Sequence, residues 1–175
     1  MLALYLLAGI AVCLHVYVLS LDGPESYYCR YDNQTHYNLA RHFLDTSDWS
    51  ALHTGSGAVA DEAQTGYYPA AWHLLVALVA SATGIDMPIV MNALNAMLSG
   101  VTYPLSSFVL MHALFPARRD VLFFGAFTSV GFACLPWVLL LKGQLLANLL
   151  SFSLIPAAIA LVIAYVHAGA RRHWR

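Results

Sequence analysis

The first 21 residues, Met1 to Leu21, carry no charged side chain. A helix of that length, at about 1.5 Å per residue, covers the roughly 30 Å hydrocarbon core of a bilayer. The stretch lacks the basic n-region and the small-x-small cleavage site of a secretory leader, so it is expected to remain as an uncleaved anchor. Composition extends the argument to the whole chain. Apolar side chains make up 60% of the 175 residues and charged ones 10%, against about a quarter charged in soluble domains. The expected class is an all-α membrane protein in which 1–175 form a single membrane domain.

Against this background the segment Asp22 to Tyr68 stands out, because it holds seven of the nine carboxylates. Within it Leu39, Ala40, Phe43 and Leu44 recur at helical spacing, with Asp32 placed as N-cap and Asp45 to Asp48 ending the run, which predicts a surface helix over 33–46. The apolar run from Pro69 to Gly84 is too short to span. If it did span, the acidic segment and the Arg118-Arg119 loop would lie on one side, against the rule that Lys and Arg collect in the cytoplasm. It is therefore read as a second surface helix, 69–83.

Four spanning helices follow, at 2–21, 87–115, 121–141 and 145–168. With Arg118, Arg119, Arg171, Arg172 and Arg175 inside, both termini are cytoplasmic and the loop 22–84 is extracytoplasmic, as in a multi-pass protein of the cell membrane. Pro104, Pro136 and Pro156 are expected to kink their helices where neighbours can satisfy the freed backbone groups. Asn92, Asn95, Ser99, Thr102 and Ser106 share one helix face, and Gln144, Asn148 and Ser151 repeat the pattern. Such stripes suit either interhelical hydrogen bonds or the lining of a groove.

Chemistry concentrates in the polar segment. Asp32 is the candidate general base, a carboxylate whose position helix amides could fix, and a plain N-cap is the competing role. Asp32 and His36 share a face, and His42, His53 and His73 lie on the same side. The spacing matches no metal motif, so a divalent ion is left open and no metal ligand is assigned. Lys142, the only lysine, could hold a phosphate as a point charge or snorkel to headgroups. Three cysteines imply no disulfide framework, and Cys29 reads as a small half-buried residue. No nucleotide loop is present, and no nucleic-acid partner is indicated.

The layout resembles the N-terminal part of the C-superfamily (GT-C-like) membrane glycosyltransferases, such as the protein mannosyltransferases and the aminoarabinose transferases of lipid A. The residues that carry it are Asp32, Tyr37, Ala40 and Arg41, then Asp48-Trp49, then Pro69 and Trp72, with the inward helix closing on Arg118-Arg119. Tyr68 to His73, Asn92-Ala93 and Lys142 to Leu149 are similar to large uncharacterised actinobacterial membrane proteins. The resemblance implies transfer of a sugar from a polyprenyl-phosphate donor to an acceptor on the outer face. Asp32 would then be catalytic, with His36, Tyr37, Arg41, Trp72, His73 and Lys142 toward substrate. Asn33 stands where the better-known enzymes often have a second acid. The chain also has fewer spans than that family, so it is expected to be the N-terminal part of a larger protein and inactive alone. The alternative is a non-catalytic membrane module, a transporter part or an assembly partner.

Overall fold

A computed structural model describes residues 1–27, 32–52, 68–142 and 144–173, with side chains described through 168. Cys29 and His53 lie outside the described residues. Among the described residues six helices follow one another: α1 (Leu2–Val16, prolonged by a 3-10 turn at Val18–Ser20), α2 (Asn33–Thr46), α3 (Ala71–Thr83), α4 (Met87–Leu114), α5 (Arg119–Leu141) and α6 (Leu146–His173). Helices α1, α4, α5 and α6 are long and apolar enough to cross a bilayer. The protein is thus an all-α, multi-pass membrane protein, and its spans fall within a few residues of those read from hydropathy.

Helix α3, at 13 residues, reaches only about 20 Å. It packs on α2, on the start of α4 and on α6. The phase of the two short helices decides what they bury. Positions 36, 39, 40 and 43 of α2 fall on one face, as do 72, 73, 76, 77 and 80 of α3, and both sets are buried. Each helix ends on a residue in the left-handed region, Ser47 (φ 55°) and Gly84 (φ 70°), whose N–H caps the carbonyl four residues back. Asp32 occupies the N-cap position of α2, but its side chain makes no capping hydrogen bond. The helix therefore does not fix its carboxylate as the sequence suggested.

The spans are not uniform helices. Pro104 has no N–H to offer the Gly100 carbonyl, and α4 widens into a π turn at Leu98–Thr102 just before it. α1 crosses at that place. A Cβ on Gly9 would lie 2.3 Å from Pro104 Cγ and 2.6 Å from the Gly100 carbonyl oxygen, so only glycine permits the approach. In α5, Leu135 leaves helical geometry (φ −117°, ψ 137°), and the Trp137 indole N–H donates to the Val130 carbonyl across the break at 2.8 Å. In α6, beside Pro156, the Ala157 N–H donates to Ser106 Oγ on α4 at 2.8 Å. Side chains thus bond backbone groups beside the breaks at Pro136 and Pro156, from within the helix at the first and from a neighbouring helix at the second. Asn95, Ser99 and Ser106 are buried, so the polar stripe of α4 faces protein.

Contacts fix the direction of the helices. Near its start α1 sets Tyr5 against Phe108, late in α4, with ring centroids 5.3 Å apart. At its end Tyr17 donates to Asn92 Oδ1, early in α4, at 2.8 Å. The two spans are antiparallel, and the end of α1, the surface helices and the starts of α4 and α6 share one end of the bundle.

Candidate binding cleft and its histidine pair

At that shared end lies a cavity of about 310 Å³. Among the described residues its wall is formed by the polar Tyr17, Ser20, Asp22, Ser26, Asn33, Asn92, Asn95 and Gln144, with Leu21, Tyr27, Pro88, Met91, Leu140 and Leu146 as the apolar part. Most of its polar groups hold one another. Asn92 accepts from Tyr17 and donates to the carbonyls of Pro24 and Ser26, both at 2.9 Å. This ties the segment after α1 to the head of α4. Asn95 Oδ1 accepts from the Trp72 indole N–H at 3.1 Å.

Behind the cavity, His36 of α2 meets His73 of α3 in a buried contact, Nδ1 to Nε2 at 2.7 Å, with ring centroids 4.9 Å apart. Only one of those two nitrogens can hold a proton at that distance. On its other side His36 Nε2 faces the Leu146 N–H at 3.4 Å and the Gln144 backbone carbonyl. That nitrogen is offered both a donor and an acceptor, so the hydrogen-bond chain can run in either direction. Trp72 and Tyr68 close the rings in edge-on, at 5.7 Å from His36 and 5.5 Å from His73.

Burial pushes both imidazoles toward the neutral form. It lowers the pKa of His36, opposed by the Gln144 carbonyl and the Asp32 charge. It lowers that of His73 to about 3, with the neighbouring His36 adding to the effect and the Ala70 carbonyl opposing it. The Ala70 carbonyl already accepts the Leu74 N–H at 2.9 Å, and His73 Nδ1 has no aligned partner of its own among the described residues.

The residues singled out in the sequence therefore divide. His36, Trp72 and His73 come together, but at 0–1% exposure they are core. Asp32 is exposed at the head of α2, and its charge is felt by His36 and Tyr68. Tyr37 packs its ring at a tilt against Tyr27, a residue of the cavity wall, with centroids 5.0 Å apart. Arg41 points away and pairs with Asp45 at 2.9 Å, both more than half exposed. Lys142 is exposed on the turn between α5 and α6, two residues before Gln144. Asp22 was not singled out by the sequence, whereas Asn92, Asn95 and Gln144 come from the polar stripes for which lining a groove was one of two readings. Helical phase could have flagged the histidines, since 36 falls in step with 39, 40 and 43, and 73 with 76, 77 and 80. Among the described residues no three His, Cys, Asp or Glu side chains gather to hold a metal ion.

The whole chain, residues 1–175, matches a family of unknown function, DUF6541. The chain belongs to that family. No curated protein and no solved structure matches it. Membership in DUF6541 thus brings no activity with it, and the cleft has to be read from its own chemistry.

Proposed function

We propose that this chain is the N-terminal portion of a glycosyltransferase-like integral membrane protein using a polyprenyl-phosphate sugar donor on the outer face of the membrane. The observation that supports the reading is the cavity at one end of the bundle. It is lined by amides and hydroxyls that suit a sugar, with Asp22 in its wall and Asp32 exposed at the head of the adjoining helix. Arg118-Arg119 after α4 and Arg171-Arg172 at the far end of α6 support an outer position for this end under the rule that Lys and Arg collect in the cytoplasm.

In this reading Asp32 takes the proton of the acceptor hydroxyl as its oxygen bonds to the anomeric carbon. The bond from that carbon to the phosphate oxygen breaks, and the polyprenyl phosphate leaves with the electron pair. Lys142 holds the departing phosphate as a point charge. Tyr37 acts through Tyr27 on the cleft wall, and the His36, Trp72 and His73 core holds α2, and so Asp32, in place.

The test is sugar transfer by the full-length protein from polyprenyl-phosphate donors. Asp32→Asn is expected to lower turnover at least about a hundredfold, and unchanged turnover would remove Asp32 from the mechanism. A second reading, a non-catalytic membrane module, draws on the burial of His36, Trp72 and His73 and on the pairing of Arg41 with Asp45. Complete absence of transfer by the wild type would favour it.

A further inference from the structure

We propose that the broken face of α5 is the contact between two copies of this chain, packed about a two-fold axis along the membrane normal. The cleft plays no part in it. The first helical run of α5, Arg119–Gly131, has 13 residues, about 20 Å at 1.5 Å per residue. Counted from the membrane face at Arg119, α5 therefore leaves helical geometry about two-thirds of the way across a core of roughly 30 Å. There Phe132 (φ −92°, ψ 140°) and Leu135 (φ −117°, ψ 137°) are extended. Elsewhere the helices end on an aligned backbone cap, with Tyr17, Ser47, Gly84 and Phe115 each donating to the carbonyl four residues back. Phe132 makes no such bond, and the Ala133 N–H has no partner among the described residues. The Thr128 and Ser129 carbonyls, which those groups would meet in an unbroken helix, lose their donors with them. Residues 131 to 134 are exposed, Phe132 to 66%. Irregular backbone at membrane depth occurs where protein or a water-filled cavity covers it.

The chemistry of the break selects its cover. It frees donors and acceptors together, so its complement has to carry both, and a copy of the same segment does. A two-fold axis along the normal brings the two breaks to equal depth, with the N–H groups of each toward the carbonyls of the other. Lipid tails offer neither kind of group. The surrounding face also suits a close neighbour. Phe124, Phe127, Thr128, Gly131 and Phe132 recur at the spacing of one helix face, and all are exposed. A Cβ on Gly131 would meet nothing within 4 Å, whereas at Gly9 and Gly125 this chain's own atoms fill the space a Cβ would take. The fold of a single copy therefore makes no use of the missing side chain at 131. A second helix does, because glycine lets two backbones approach in a membrane where packing and hydrogen bonds supply the adhesion.

The test uses the full-length protein in its own membranes, expressed at low level as two differently tagged copies and treated with a short bismaleimide. Cys134 is a free, exposed thiol inside the break and serves as the handle. The reagent is expected to join the two tags, and Cys134→Ala should remove the product. Gly131→Leu, for which a single copy has room, is expected to lower the joined product at least about fivefold. Its melting temperature, taken at a dilution where the wild type is monomeric, should not fall. Phe132→Ala shortens an exposed side chain, cannot overpack, and should act in the same direction, so it decides the matter where Gly131→Leu fails to fold. A joined product that neither change lowers would overturn the placement on α5. No joined product from the wild type, the result if water, lipid or this chain's own loop covers the break, would overturn the second copy. A Cys134 product with a different protein would overturn it as well.

Discussion

The end of the bundle that holds α2 and α3 and the middle of the bundle, where α1 crosses α4, solve the same problem by different physics. At the end, contacts are polar and specific: His36 with His73, Trp72 with Asn95, Tyr17 with Asn92. In the middle they are contacts of shape, with Gly9 against Gly100 and Pro104, and Tyr5 over Gly125. The Tyr5 hydroxyl would lie 2.3 Å from a Cβ on Gly125. Lipid tails are as apolar as leucine, so spans gain little from hiding apolar surface from them and adhere by close approach. Polar groups at the end can still reach water when they are not paired, and pairing them there shapes a cavity. The middle supports the protein by leaving no space, and the end can hold a ligand because it leaves some.

The comparison breaks first at Gly9. Gly9→Leu has to displace a backbone carbonyl and a proline ring, and is expected to cost about 3 kcal/mol or more. Size-exclusion in mild detergent should show loss of the monodisperse protein, and a well-behaved variant would mean that α1 does not cross α4 so closely. The polar end should answer differently, because there the cost lies in the unmatched partner. His73→Leu leaves His36 Nδ1 buried without its partner, at about 1–3 kcal/mol, while His36→Leu with His73→Leu removes both and should cost less than the single change. Thermal unfolding of the three proteins checks this. A double variant worse than the sum of the singles would show that the rings are held for more than each other.

The smallest effect sharpens the comparison through pH. Both rings are neutral in the fold, with pKa values below the ordinary histidine value of 6.5 and that of His73 near 3. The unfolded chain binds the extra protons, so their contribution is fully present above about pH 6.5 and is lost as pH falls from there toward about 3. The melting temperature of the wild type should drop between pH 7.5 and 5 by more than that of the double leucine variant. Equal drops would assign the acid sensitivity to groups other than this pair.

Much of this was legible in the chain because hydropathy and helical period report local facts. The four spans, the bounds of α2 and the shortness of α3 follow from runs of apolar residues and their terminators. Asp32 and His36 look equivalent as polar residues four apart, but only His36 points into protein. Arg41 looked like a substrate residue by resemblance, yet Asp45 one turn on takes its charge at the surface. The cavity was less legible, since its wall draws on the segment after α1, the head of α2, α4, α5 and the start of α6, and no window of sequence contains those neighbours.

By itself the sequence determined that this is a helical membrane protein with a polar end, because the cost of placing charge and bare backbone in lipid is settled residue by residue. Tertiary structure alone decided which polar residues are spent on each other and which remain open. His36 found His73 37 positions away, Asn92 was saturated by the segment after α1, and Gln144 came to the cavity wall with its side-chain oxygen buried and unpaired among the described residues. A hydrogen bond is a property of two groups and a distance, and distance between helices is not written in either one.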